Sequence, residues 1–151
     1  MGTALARIAA RRRFAELVIA GYDLGRAQRA AAARDGYQAV HLNARDERAT
    51  AGLLGQHRCD VLMNATDPRF VMPLFRAALQ AGTHYLDMAM SLSYPHPGDP
   101  YRQTGVKLGD EQFAMAADGE RSGKLALVEM GVEPGLSDVF ARYAAEERTP
   151  A

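Results

Sequence analysis

The chain of 151 residues carries 18 Lys plus Arg against 18 Asp plus Glu, with 48% hydrophobic and 24% charged residues. That is enough apolar material for one ordinary domain, and the balanced charge gives no electrostatic drive toward nucleic acid or an anionic membrane. Cys59 is the single cysteine, so no intramolecular disulfide can form, and a zinc site would need His41, His57, His84, His96 or carboxylates at no recognisable spacing. The composition therefore points to a reducing cytoplasm, with no metal, nucleic acid or membrane as partner.

No apolar run reaches the length of about 18 residues that a membrane span requires, and the N-terminus lacks the apolar stretch of a secretory signal. The first residues are rich in Arg and free of acids, which also fits a mitochondrial transit peptide. The favoured reading is a helix whose C-terminus collects Arg11, Arg12 and Arg13, where cations meet the negative end of the dipole. Ala6 stands where a myristoylation signal wants Ser or Thr.

Taken in order, residues 2–13 read as a helix with Leu5, Ile8 and Ala9 inward, and Leu17 to Ala20 as a short apolar strand. A helix over 24–34 is closed by Asp35-Gly36, followed by a strand over 39–42 and a helix over 46–56. A buried strand over 60–64 leads to a turn at Pro68 and a helix from Pro73 to Ala81, stopped by Gly82. His84 to Asp87 is the next strand. Between Ser91 and Gly109 the alternation gives way to a loop holding Pro95, Pro97, Gly98, Pro100 and Gly105, either a lid over a site or an inserted surface loop. Beyond it lie a helix over 110–121, a strand over 125–128, and a helix over 136–147 behind Glu133-Pro134-Gly135.

Short apolar strands alternating with Ala-rich amphipathic helices predict an α/β domain with a Rossmann-type parallel sheet and helices on both faces. Such a unit opens with a strand, a glycine-rich turn and a helix whose free N–H groups hold pyrophosphate, and places an acid about 20 residues on, against the ribose. Gly2 would be the last glycine of that turn and Asp23 the acid, so the expected sheet lacks its first strand. Asp23 favours NAD slightly, through hydrogen bonds to the ribose diol, whereas Arg26 would attract the 2′-phosphate of NADP; a solvated loop aspartate is the alternative. Asn64-Ala65-Thr66 ends a strand at the carboxyl edge, where it either lines a cofactor crevice or serves as turn chemistry. His41, His57, Cys59 and His84 receive no role.

Four segments, Gly2-Thr3-Ala4-Leu5-Ala6, Asp60-Val61-Leu62-Met63-Asn64-Ala65, His84-Tyr85-Leu86-Asp87-Met88-Ala89 and Gly131-Val132-Glu133-Pro134-Gly135-Leu136-Ser137, resemble the saccharopine dehydrogenase family, with its carboxynorspermidine dehydrogenase and homospermidine synthase relatives. The resemblance implies that Gly2 and Thr3 meet pyrophosphate, Asp23 the adenosine ribose, and Ala65 and Thr66 the cofactor. It places Met88 and Ala89 at the nicotinamide, with Met90, Glu133 and Pro134 at the substrate. It further implies a domain over 1–135 and a helix over 136–151 leading to a second, substrate-binding domain. The activity implied is NAD(P)-dependent oxidoreduction at a C–N bond of an amino-acid or polyamine-type substrate, in a protein that could be a homo-oligomer. A truncated nucleotide-binding or interaction module without catalysis is the alternative, and an S-adenosylmethionine-dependent methyltransferase a weaker one. The Pro-rich 91–109 stretch, Met88 and Met90 depart from the relatives.

Overall fold

A computed structural model of the chain describes residues 2–12, 16–32, 35–133 and 135–148. Helix α1 (Gly2–Arg11) precedes strand β1 (Val18–Gly21), helix α2 (Leu24–Ala31), strand β2 (Gln38–His41) and helix α3 (Glu47–Gln56). Strand β3 (Val61–Asn64), helix α4 (Val71–Ala81) and strand β4 (His84–Asp87) follow. The chain continues through helices α5 (Asp110–Phe113) and α6 (Ala116–Ser122), strand β5 (Ala126–Leu127) and helix α7 (Leu136–Arg148).

Aspartates start the helical segments by accepting N–H groups that a first turn leaves without partners. Asp23 accepts from Arg26 at 3.0 Å before α2, and Asp46 from Ala49 at 2.8 Å before α3. Asp67 accepts from Arg69 at 2.9 Å ahead of a 3-10 turn over Pro68–Phe70. Gly82 ends α4 in the left-handed region, φ 64°, which a residue without Cβ adopts free of strain.

Every strand pair is parallel: β1 with β2, β3 with β4, and β4 with β5. The strands form two sheets, β1-β2 and β3-β4-β5. A Rossmann sheet ordered 3-2-1-4-5-6 falls into a pair and a triplet when strand 1 is taken out, and this is the division observed. Helix α2 packs on β1 and β2, α4 packs on β4, and α3 lies against α4. The core is centred on Leu54, Leu74, Phe75, Ala78 and Tyr85.

Several expected details are corrected. The 60–64 strand is not a buried one: Val61 and Met63 are 53% and 42% exposed and only Asn64 is buried, because side chains alternate between faces and the core packs against the face that holds Leu62. In α1 the buried residue is Ala6, whereas Ile8 is exposed, because the helix packs mainly on α2. The 110–121 helix is broken at Ala114-Met115 into α5 and α6, and the last strand shrinks to Ala126–Leu127. Helix α4 begins at Val71, which puts Pro73 inside its first turn. The 91–109 stretch is closed at its base, where Tyr94 and Val106 exchange backbone hydrogen bonds at 2.9 Å. Arg13 and Arg34 lie outside the described residues. No described helix is long and apolar enough to cross a membrane.

Candidate cofactor-binding site

Parallel pairing delivers strand ends to a common edge, where open α/β sheets bind their ligands. Gly21 and His41 end β1 and β2 in register, and Asn64 and Asp87 end β3 and β4 in register. The N-terminal turn of α1 holds Gly2 and an exposed Thr3, and the N–H groups of such a turn have no partners within the helix. These donors, with the dipole behind them, suit an anionic phosphate.

Asp23 stands at the end of β1, where the sequence argument places it, but its carboxylate is already engaged. One oxygen caps α2 and the other faces the Arg26 guanidinium at 3.4 Å. The cap hydrogen bond, aided by the charges of Arg26 and Arg29, holds the Asp23 carboxyl below its ordinary value against an opposing desolvation. Arg26 itself is 82% exposed, with its charge open to solvent.

The turn after β3 is built by Asn64, whose Oδ1 accepts the Thr66 N–H at 3.0 Å and the Thr66 hydroxyl at 2.7 Å. Its Nδ2 donates to the Tyr85 hydroxyl at 3.0 Å. Turn chemistry and an edge position thus coexist here: Ala65 is half-buried and Thr66 exposed, with the Thr66 hydroxyl proton spent on Asn64.

Beyond β4, Met88 and Ala89 are half-buried in a bend. Met90 is buried, with its sulfur against Gly109, so its side chain belongs to local packing. Glu133 is exposed, and Pro134 lies outside the described residues. The turn around them depends on Gly135, φ 128°, where an added Cβ would come within 2.5 Å of the Gly131 carbonyl and 2.6 Å of the Glu129 carbonyl. Gly135 donates its N–H to Asp138 at 2.9 Å, which joins the turn to α7.

Asp87 was not singled out by residue-level reasoning, yet it is fully buried at the end of β4. Its carboxylate accepts from Gln112 Nε2 at 2.9 Å and from the Glu129 N–H at 3.0 Å, and its backbone carbonyl from the Met130 N–H at 3.0 Å. Its position at a strand's carboxyl end was the available signal. Gln112 had none, being on a helix 25 residues away.

Burial pushes the Asp87 carboxyl above its ordinary value, against the pull of donors from Gln112, Glu129, Tyr85 and Ala89. A native pKa above the unfolded one means that the folded chain holds this proton more tightly. The contribution is complete below the unfolded carboxylate range and is lost as pH rises through the native value. Urea unfolding in steps through the acid range is therefore expected to show Asp87→Asn gaining stability relative to the wild type as pH rises. A difference that stays flat would mean that Asp87 titrates alike in both states.

Parallel strands with intervening helices, an acid and neighbouring guanidiniums after β1 and a short polar turn after β3 are the features of a dinucleotide-binding domain of the dehydrogenase type. A family model described as the saccharopine dehydrogenase NADP binding domain matches residues 1–127, and the chain belongs to that family. Its cofactor is accordingly a nicotinamide dinucleotide, NAD(P). The methyltransferase alternative is left without support.

Carboxynorspermidine synthase of Vibrio cholerae serotype O1 is 29% identical over 109 residues, covering 72% of this chain and 25% of the relative. The enzyme of the same name from Vibrio alginolyticus is 28% identical over the same share. The chain thus spans about a quarter of the length of these relatives. Apo saccharopine dehydrogenase (L-Glu forming) from Saccharomyces cerevisiae superposes with a TM-score of 0.71 at 18% identity, over 97% of this chain and 28% of that one. This likeness carries the fold.

The residues present fit the cofactor. The first-turn N–H groups of α1 suit the pyrophosphate, exposed guanidiniums at α2 suit an added phosphate, and small or half-buried residues at 65 and 88–89 suit close approach to the backbone.

Proposed function

We propose that this chain is the cofactor-binding part of an NADP-dependent oxidoreductase that acts on the C–N bond of an amino-acid or polyamine-type substrate. The observation carrying the cofactor preference is the exposed Arg26 guanidinium beside Asp23 at the start of α2. The Asp23 carboxylate holds one backbone N–H and faces Arg26, and Arg26 and Arg29 supply positive charge beside it that suits an added 2′-phosphate. The slight preference for NAD expected from Asp23 alone gives way to NADP in this reading.

Gly2 and Thr3 meet the pyrophosphate, Asp23 lies beside the adenosine ribose while Arg26 takes its 2′-phosphate, and Ala65 and Thr66 border the cofactor through their backbone. Met88 and Ala89 flank the nicotinamide. Met90 lends its backbone, with Glu133 and Pro134, to the substrate end. Bound NADP would supply hydride chemistry, and the chain's own residues bind and orient it. The relatives' names support the C–N substrate class, and the exposed apolar residues Leu136, Val139, Phe140 and Tyr143 of α7 support a second domain continuing from 136–151.

Calorimetric titration of the chain with NADPH and NADH tests the reading. NADPH is expected to bind about tenfold more tightly or better. NADH binding as tightly as NADPH would overturn the preference, and no binding of either would overturn the cofactor role.

A further inference from the structure

The segments assigned to the nicotinamide and substrate end are far apart in sequence, and Asp87 touches each of them or their supports. Its side chain accepts from Glu129 at 3.0 Å and its carbonyl from Met130 at 3.0 Å, which holds the start of the turn running to Gly135. Glu129 has φ 63°, a left-handed conformation that a residue with a Cβ keeps only where its surroundings hold it. The second carboxylate oxygen accepts from Gln112, whose own Oε1 accepts the Ser91 N–H at 2.8 Å, so the segment from Met88 to Ser91 is tied at its far end. The Tyr85 hydroxyl and the Ala89 N–H also stand near this carboxylate and favour its charged form. That hydroxyl in turn accepts from Asn64, the residue that shapes the turn at Ala65 and Thr66.

We infer that Asp87 is a positioning residue, a buried carboxylate that sets the relative placement of the three strand-end segments, 64–66, 88–91 and 129–133, against the nicotinamide half of the cofactor. The inference rests on the NADP reading above and goes beyond it by naming the group that orders that half of the site.

A carboxylate serves this role because it is acceptor-only, with room for several donors at once. An amide at position 87 would still accept the Glu129 N–H through its oxygen. Its NH2 would face the Gln112 NH2, and one of the two hydrogen bonds through Gln112 would be lost. An alanine would release all the side-chain ties together. Neither change reaches Asp23, Arg26 or α1, where the adenosine half is expected to bind.

The test exploits this division by titrating the chain and its variants with NADPH and with 2′,5′-ADP, which lacks the nicotinamide half. Wild type is expected to bind NADPH about tenfold more tightly than 2′,5′-ADP. In Asp87→Ala the 2′,5′-ADP affinity should stay within about twofold of wild type, while the NADPH advantage falls to about twofold or less. Asp87→Asn should retain an intermediate advantage. Gln112→Met removes the brace while leaving the carboxylate in place, and is expected to act in the same direction, which keeps the test open if Asp87→Ala does not fold.

An unchanged ratio of the two affinities in folded variants would overturn the inference. So would an equal loss of both ligands, which marks a general structural role. Wild type binding 2′,5′-ADP with no advantage for NADPH would overturn it while leaving the adenosine-side reading intact. Binding of neither ligand by wild type would remove both.

Discussion

Arg26→Glu is expected to lower NADPH affinity by about tenfold or more while leaving NADH binding within about twofold of wild type. The change is local. Arg26 is 82% exposed, and its ion pair with Asp23 is an exposed one at 3.4 Å, of the kind that contributes little to stability. The cap of α2 uses the backbone N–H of residue 26 and survives the substitution. What is lost is a guanidinium where a 2′-phosphate would lie, replaced by a carboxylate that repels it. Because the site is open to solvent, the NADPH advantage of wild type should also shrink as salt is raised. Equal losses for NADPH and NADH in the calorimeter would show that Arg26 acts on the fold or on the shared part of the dinucleotide.

Phe75→Ala is expected to destabilise the chain by about 3–5 kcal/mol, a large share of the roughly 5–15 kcal/mol that holds a typical domain together. Phe75 is 8% exposed and meets Tyr85 edge-on, with ring centres 5.0 Å apart. It belongs to the cluster with Leu54, Leu74 and Ala78, so α3, α4 and β4 all contribute to its surroundings. Truncation would leave a cavity between α4 and β4 and loosen the support of Tyr85, whose hydroxyl accepts from Asn64. The control is Phe140→Ala on α7, where the ring is 62% exposed and the expected effect is within about 0.5 kcal/mol. Urea unfolding of the two variants checks the contrast. Similar losses at both positions would mean that the cluster around Phe75 is not the centre of the core.

The two substitutions also separate what could be read along the chain from what could not. Phe75 lies on a helix whose apolar periodicity, early Pro73 and terminal Gly82 are visible in the sequence. Asp23 is different. An acid after a strand and before a helix suits both a ribose contact and an N-cap, and the residue types alone do not choose between them. The geometry at Arg26 shows the cap.

Local rules also misplaced exposure where it depends on neighbours distant in sequence. Val61 and Met63 have the apolar character of a buried strand, but exposure follows from which face of β3 the core packs against, and that is the face of Leu62. The break at Ala114-Met115 was likewise not legible, while Gln112 just before it is drawn inward by hydrogen bonds to Asp87 and Ser91, 25 and 21 residues away.

By itself the sequence determined the α/β class, the parallel alternation, the starts of α2 and α3, the Gly82 stop and the family, because each rests on residues close together in the chain. Only the tertiary structure decided that Met90 is packed against Gly109 and that the Asp87 carboxylate holds the Gln112 and Glu129 donors. Those outcomes depend on partners brought from up to 42 residues away, and contacts over such separations exist only once the strands have paired and the helices have closed over them.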